Sequence, residues 1–222
     1  MLSLWTDKLI LDQDKIEQVK KELKSDEGRW LHPHQKYYSS YWEDDVNKRP
    51  EIIFLDEYRE QIFKFLKHVN LFDRVDFSFE HWSQIYTAES GGSHATHCHF
   101  SFDCFFSWVH FIEPTDRPCF YFSKHEGGKK FVENQEPGTF MVFPSWALHG
   151  AVENHSDEDR LIVAGNIHVS RIISQGEDVH YYNRVTGWSS LIEHPNWIKP
   201  QKPDLPIDQE KVDDFLKQNM VL

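Results

Sequence analysis

Two segments near the start of the chain carry apolar side chains every three or four positions, with polar residues between them. They are residues 12–24, where Asp12 or Asp14 can cap the first turn, and residues 56–69. This spacing is typical of a helix with one buried face. Residues 208–218 repeat the spacing near the other end. The pattern therefore predicts two helices in the first third of the chain and one close to its end.

Beyond residue 76 the pattern changes to short apolar runs rich in aromatic and β-branched residues, separated by Gly, Pro, Asn and Asp. The runs that predict strands are 77–87, 104–112, 119–123, 139–144 and 161–169, with one more short strand near 37–42. Such a series is typical of a closed sandwich of the jelly-roll type. We predict a mainly β single domain, with an N-terminal helical support (1–76), a β core (77–170) and a C-terminal extension (171–222).

Composition says little more about the fold, but it excludes several classes of function. The chain of 222 residues has a net charge of -12 and no basic stripe, which argues against a nucleic-acid partner. It has no apolar run long enough to cross a membrane and no leader-like segment, so we expect no membrane association. The cysteines, Cys98, Cys104 and Cys119, show no framework spacing. A reducing cytoplasm is the expected compartment.

The 14 histidines carry the strongest chemical signal, because several of them lie in one segment. His97 and His99 follow a Gly-Gly turn, and residues two apart on a strand point to the same side. Their imidazoles suit a first-row metal such as iron, with His149, at the end of a later strand, as the candidate third ligand. Cys98 lies between the pair and is expected to be buried, pointing away. The alternative is that these are ordinary surface or hydrogen-bonded histidines.

Arg160 opens the last predicted strand, eleven positions after His149. Every second residue of this strand, from Arg160 to His168, shares one face. An arginine on the inward face of a barrel needs a partner, because a lone buried charge is very costly. A carboxylate ligand would bind the guanidinium through two hydrogen bonds. The alternative is a surface arginine paired with Asp157 or Asp159.

The order of several motifs resembles the iron- and 2-oxoglutarate-dependent oxygenases. The motifs are Trp82, Tyr86 and Gly91 leading into His97-Cys98-His99, the segment 107–111, the run 137–146 followed by His149, and then Asn154, Arg160 and Asn166. More narrowly, the chain resembles a family of such oxygenases common in marine bacteria and their phages. The resemblance spans most of residues 1–170 and is tightest over 137–166.

This resemblance implies a double-stranded β-helix, the cupin-like jelly roll, with His97 and His149 as Fe(II) ligands and Arg160 binding the distal carboxylate of 2-oxoglutarate. It also implies a dioxygenase that hydroxylates a small molecule or a peptide side chain with O2, releasing succinate and CO2. Most of the wider superfamily carries Asp or Glu where this chain has His99. His99 is therefore either a third ligand or a neighbour of the metal, with Asp103 as a distant carboxylate alternative.

Further residues near these motifs are candidates for lining the site, although each is as readily a packing residue. Tyr86 and His94 are candidates for contacting the co-substrate. The candidates for contacting the substrate are Trp108 and His110, at the predicted barrel mouth, and Asn166 and His168, on the face of Arg160. The aromatic segment at 25–50 and the tail at 172–206 are the expected substrate-facing loops.

Two rival functions remain open from the residues alone. A three-histidine iron dioxygenase would use O2 without 2-oxoglutarate, and a non-catalytic jelly-roll module would hold zinc or no metal. The role of Arg160 separates the first rival from the oxoacid-dependent enzyme. Metal content after purification with Fe(II) separates the second.

Overall fold

The computed structural model describes most of the chain up to residue 172. The described residues are 5–32, 34, 36–43, 45–72, 75–89, 91–99, 103–124, 128–172, 183–184 and 191–192. The predicted helix at 208–218 and most of the tail at 172–206 lie outside this part of the chain.

The two helices predicted in the first third of the chain are confirmed, each shifted by one residue. Helix α1 (Gln13–Ser25) begins where the side chain of Asp12 accepts a hydrogen bond from the Lys15 backbone amide. A short α2 (Glu27–Trp30) precedes the second predicted helix, α3 (Leu55–His68). Three 3-10 turns lie between α2 and α3, at Ser40–Trp42, Val46–Lys48 and Pro50–Phe54. Within the described residues, no helix is both long and apolar enough to cross a membrane.

The strands follow the predicted runs closely. They are β1 (Trp5–Lys8), β2 (Tyr38–Ser39), β3 (Val75–Tyr86), β4 (His94–His97), β5 (Cys104–Glu113), β6 (Phe120–Ser123), β7 (Lys129–Phe131), β8 (Thr139–Pro144), β9 (His149–Ala151), β10 (Arg160–Ile172), β11 (Asn183–Arg184) and β12 (Leu191–Ile192). Of the strand predicted near 37–42, only β2 forms. The sequence did not predict β1, β4, β7 and β9, because each has three or four residues and no apolar run.

The main strands form two antiparallel sheets. One has six strands in the order β1-β8-β5-β10-β3-β2, and the other has four in the order β4-β9-β6-β7. Side chains from both sheets pack into one core, which includes Val109, Phe111, Phe120, Met141 and Phe143. The predicted fold class is therefore confirmed: a mainly β protein with flanking helices and a double-stranded β-helix, or jelly-roll, core.

The helices cover the other face of the six-stranded sheet. Residues of α1 and α3 pack there against aromatic side chains of β3, β5 and β8. Alternation along β5 assigns its residues to the two faces, because successive side chains of a strand point to opposite sides. Phe106 and Trp108 belong to the core beneath the helices, whereas Val109 and Phe111 belong to the core between the sheets.

Arg49 fixes the aromatic segment after α2 against the sheet. Its buried guanidinium donates hydrogen bonds to three backbone carbonyls, those of Tyr41 (3.0 Å), Glu43 (2.9 Å) and His81 (2.8 Å). These charge-assisted bonds bind the loop to β3, whose His81 carbonyl is one of the acceptors. These hydrogen bonds hold the loop that carries Tyr37 next to the inward face of β3, and Tyr37 stacks there on Tyr86.

Candidate metal centre

Three histidines converge at one end of the jelly roll. Strands β4 and β9 pair so that His97 lies opposite His149. His99 follows β4, and its backbone amide donates to the Ser145 carbonyl at 2.9 Å, which turns the chain back over the end of β8. One ligand nitrogen from each of the three residues lies within 4.8 Å of the others. The structure thus brings together the three residues that the sequence singled out.

The pair His97 and His99 meets for a different reason from the one predicted. Strand β4 ends at His97, so strand alternation does not govern the position of His99. The hydrogen bond to Ser145 does so instead. The prediction for Cys98 is wrong for the same reason: it was expected to be buried, but it lies outside the strand and is exposed.

Two backbone carbonyls orient the imidazoles of His97 and His149. Nδ1 of His97 lies 2.8 Å from the Ala95 carbonyl, and Nδ1 of His149 lies 2.8 Å from the Ala147 carbonyl. A carbonyl only accepts, so each Nδ1 carries the proton and each Nε2 keeps a free lone pair. A metal-binding histidine commonly has this arrangement, with the other nitrogen donating to a carbonyl or carboxylate.

Burial keeps the histidine cluster neutral. Desolvation, and then the charges of neighbouring histidines, lower the pKa of His99 to about 2 and that of His149 to about 3. Burial also lowers the pKa of His97. Metal ions bind the neutral form of imidazole, so these rings do not have to release a net proton to bind a metal near neutral pH.

His94 forms a side wall of the same site. Its ring stacks on that of His97 with 4.3 Å between centroids, and it lies 5.3 Å from the ring of Tyr37. Desolvation, followed by the charges of His97 and His149, lowers its pKa to about 3. His94 is outside the group of three convergent ligands but lines the cavity beside them.

A narrow cavity, open at its mouth, lies between the two sheets in front of the histidines. Its apolar walls come from both sheets and include Val109, Phe120, Phe143 and Ile162. Ile162 and Ala164 of β10 reach it from the face that they share with Arg160. The cavity therefore extends from the histidines toward the start of β10.

Arg160 is buried at that end of the site, with only 1% of its surface exposed. Its guanidinium carbon lies 4.1 Å from the centre of the Tyr86 ring, and Nη2 donates to the Val152 carbonyl at 3.2 Å. Its Nε has no hydrogen-bond partner among the residues that the structure describes. No carboxylate of the described residues forms an ion pair with it, and Asp159 instead pairs with Lys24. The alternative of a surface arginine is thus excluded.

Gln84 is a cavity residue that the sequence analysis missed. The Tyr86 hydroxyl donates to its Oε1 at 2.8 Å, and both side chains line the cavity. In the sheet register Tyr86 lies opposite Arg160 and Gln84 lies opposite Ile162. The signal was present, because Gln84 lies two residues before a predicted site residue on the same strand.

A buried polar network adjoins His99 on the other side. The Asn166 amide nitrogen lies 2.8 Å from Glu80 Oε1 and 3.5 Å from His99 Nδ1. His168 lies between two carboxylates, with Nε2 3.3 Å from Glu80 and Nδ1 3.2 Å from Asp103. The structure thus places this network next to His99, and the predicted substrate contacts of Asn166 and His168 stay predictions. Asp103 contacts His168 and is outside the group of convergent ligands.

Two predicted substrate contacts, by contrast, belong to the helix side of the sheet. His110 Nδ1 accepts from the Tyr58 hydroxyl at 3.1 Å and its Nε2 donates to the Leu9 carbonyl at 2.9 Å, so the expectation that it lines the barrel mouth is wrong. Trp108 packs on Tyr58, with 4.9 Å between ring centroids. The Trp108 ring lies against Gly165, and it borders the cavity only because Gly165 has no side chain between the ring and the cavity.

The buried His110 makes stability depend on pH. Desolvation lowers its pKa from 6.5 to about 4, so the unfolded chain binds a proton more readily than the folded one. This contribution is complete above pH 6.5 and is lost as pH falls toward 4. We expect His110 alone to cost about 2 kcal/mol of unfolding free energy between pH 7 and pH 5, measured by urea unfolding. His110→Gln, which can keep both hydrogen bonds, should remove that part of the slope, and an unchanged slope would contradict the assignment.

Comparisons with known proteins support the fold. No profile of a known protein family matches the sequence, and no curated protein matches it. Among solved structures, HygX from Streptomyces hygroscopicus, with nickel and 2-oxoglutarate bound, is similar at a TM-score of 0.54 and 11% identity, covering 86% of this chain and 93% of that chain. The α-ketoglutarate-dependent non-heme epimerase SnoN of nogalamycin biosynthesis matches at 0.53 and 13%, covering 73% and 77%.

A prolyl hydroxylase from Trichoplax adhaerens, in complex with a peptide fragment of hypoxia inducible factor, is similar as well. Its TM-score is 0.51 at 9% identity, with 74% of this chain and 82% of that chain covered. At such identities the similarity concerns the fold. The resemblance to the iron- and 2-oxoglutarate-dependent oxygenases is thus supported at the level of architecture, and the narrower marine family stays a prediction.

Proposed function

We propose that the protein is an Fe(II)- and 2-oxoglutarate-dependent oxygenase. One observation carries the proposal: a buried arginine without a carboxylate partner among the described residues lies in line with a cavity that ends at three convergent histidines. A buried guanidinium is costly unless an anion joins it. The site therefore has a position for a metal at the histidines and, beside the cavity residue Tyr86, a position for a carboxylate.

The histidine cluster fits the metal. His97 and His149 present Nε2 lone pairs, because their Nδ1 atoms donate to backbone carbonyls, and His99 brings a third imidazole. Imidazole ligands suit Fe(II), and a site with three protein ligands leaves positions for co-substrate and O2. When bound, iron and 2-oxoglutarate would supply the oxidation of a substrate by O2, with release of succinate and CO2.

Arg160, next to the cavity residue Tyr86, fits the distal carboxylate of 2-oxoglutarate. No described residue accepts a hydrogen bond from Nε of Arg160, and the fork geometry of the guanidinium matches a carboxylate. The Tyr86 hydroxyl donates a hydrogen bond to Gln84 in this structure, but it can turn to donate to the carboxylate instead. The Gln84 amide can then turn and donate to the Tyr86 hydroxyl oxygen. These residues bind and orient the co-substrate. Its keto acid end would then face the histidines.

Arg160 also favours this function over its rivals. A dioxygenase that uses O2 without an oxoacid, or a module that only holds metal, does not need a buried cation that lacks a carboxylate partner among the described residues. The apolar walls of the cavity exclude water, so polar contacts made there are stronger than in solution.

The substrate is proposed only as a class. HygX has been seen with hygromycin B bound, and the Trichoplax enzyme with a peptide. We propose that this chain hydroxylates a small molecule or a peptide side chain in the cytoplasm, and that it belongs with the marine-bacterial and phage oxygenases that it resembles. The aromatic segment after α2 supports a substrate role, because Trp42 is 59% exposed and Tyr41 lies 5.0 Å from the cavity residue Trp82.

Anaerobic spectroscopy tests the proposal. Adding Fe(II) and then 2-oxoglutarate to the purified protein should produce a weak visible charge-transfer band that saturates at one equivalent of each. Glutarate shares the distal carboxylate but lacks the keto group, so it should compete for binding without producing the band. If no band forms and 2-oxoglutarate does not raise the melting temperature of the metal-loaded protein, the proposal is wrong.

A further inference from the structure

The amide of Asn166 has a defined orientation, because its neighbours leave no other choice. Asn166 is 5% exposed, and its Oδ1 accepts from the Ser107 hydroxyl at 2.8 Å. Its nitrogen lies 2.8 Å from Glu80 Oε1. Because Oδ1 accepts from Ser107, the NH2 end of the amide faces Glu80 and donates to it.

This orientation has a consequence for His99. The second hydrogen of the Asn166 amide is directed toward His99 Nδ1, 3.5 Å away, and this nitrogen must then act as an acceptor. A neutral imidazole has one proton, so in His99 it lies on Nε2. His99 Nε2 is 3.1 Å from His97 Nε2, whose lone pair is free because His97 Nδ1 donates to Ala95. The hydrogen bonds therefore form one continuous chain in which Asn166 donates to His99, His99 donates to His97, and His97 donates to Ala95.

The three histidines are consequently not equivalent. His97 and His149 present a lone pair at Nε2, whereas Nε2 of His99 presents a proton to the same point. For His99 to bind a metal through Nε2, its proton must move to Nδ1. The N–H of His99 Nδ1 would then face the N–H of the Asn166 amide, which is unfavourable. Turning the amide over would relieve this contact, but it would place the Asn166 oxygen against the Glu80 carboxylate.

We propose that Asn166 is a positioning residue that holds His99 in the tautomer that does not bind metal. The inference rests on the proposed metal centre and deepens it. His97 and His149 are the strong ligands, and His99 is a weak, exchangeable one. Its position can then open for co-substrate or O2 without loss of the metal.

Exchanging the two polar side chains tests this assignment. The double variant Glu80→Gln with Asn166→Asp keeps the net charge and a hydrogen bond between the two positions, but turns a carboxylate oxygen toward His99 Nδ1. An acceptor there favours the proton on Nδ1 and frees Nε2 for the metal. We expect the affinity for Ni(II), measured by calorimetry as a substitute for Fe(II), to rise about tenfold, which is the lower end of such effects.

Alanine variants in both backgrounds complete the test. In the native chain, His99→Ala should weaken Ni(II) binding less than about tenfold, and His97→Ala on the order of 100-fold. In the exchanged chain, His99→Ala should weaken Ni(II) binding by a factor at least ten times larger than in the native chain. A role of Asn166 in packing alone would not couple to His99 in this way.

Each other outcome is informative. If His99→Ala costs as much as His97→Ala in the native chain, the inference is overturned while the metal centre stands. If the exchanged chain folds, by its melting temperature, yet binds Ni(II) as the native chain does, the inference is also overturned. Should the exchanged chain not fold, the comparison of His99→Ala with His97→Ala in the native chain decides alone. Ni(II) binding that ignores both His97→Ala and His149→Ala would instead overturn the proposed function.

Discussion

Replacing His149 with alanine is expected to abolish specific metal binding. His149 is buried, its Nδ1 is held by the Ala147 carbonyl, and it lies opposite His97 in the sheet register. Its loss removes a ligand whose geometry is set before the metal arrives. Since losing an outer partner of a metal ligand alone costs 10–100-fold, we expect Fe(II) affinity to fall by on the order of 100-fold or more. Anaerobic calorimetry with Fe(II) measures the change directly.

His155 provides the matched control for that experiment. Its side chain is 66% exposed, and it pairs with Glu153 at the surface. His155→Ala removes an imidazole without touching the cluster, so Fe(II) affinity and melting temperature should match those of the native protein. If His149→Ala retained native affinity with an intact fold, the metal would have to bind elsewhere in the protein, and the proposed centre would be rejected.

Replacing Arg160 with methionine is expected to separate co-substrate binding from folding. The guanidinium is buried without a carboxylate partner among the described residues, so an apolar side chain of similar length should leave the melting temperature of the metal-free protein unchanged or higher. Binding of 2-oxoglutarate loses two charge-assisted hydrogen bonds, each worth about 1.5–3 kcal/mol. We therefore expect affinity for 2-oxoglutarate to fall by about 100-fold or more, while metal affinity stays the same.

The exposed Arg117 serves as the control for general charge effects. Arg117→Met makes the same change of net charge on the surface and should leave 2-oxoglutarate affinity as it is. The 2-oxoglutarate affinity of Arg160→Lys should lie between those of Arg160→Met and Arg117→Met. An ammonium group keeps the positive charge but lacks the paired donors of a guanidinium. Unchanged 2-oxoglutarate affinity in Arg160→Met would remove the main support for an oxoacid-dependent enzyme and favour a metal site that works without it.

Local patterns in the sequence were enough for the larger elements and for the principal site residues. Helices α1 and α3 and the long strands β3, β5 and β10 have spacings of three to four or of two, which depend on neighbours in the chain alone. His97, His149 and Arg160 were found from their places beside predicted turns and strand ends. The short strands β4 and β9 lacked such a pattern, and so only the structure reveals them.

Contacts between distant segments decided the chemistry of the site. The pairing of β4 with β9 sets His97 opposite His149, and the Ser145 carbonyl, rather than strand alternation, brings His99 to them. The same packing exposed Cys98 and turned His110 toward the helices.

The sequence by itself predicted a mainly β jelly roll, and it singled out three histidines and one arginine as candidate site residues. Only the tertiary structure decided which nitrogen of each histidine is free, that Arg160 is buried, and that Gln84 lines the cavity. The physical reason is that residue type and spacing are written along the chain. Burial, tautomer and hydrogen-bond partner depend on what the other sheet and the loops place against each side chain.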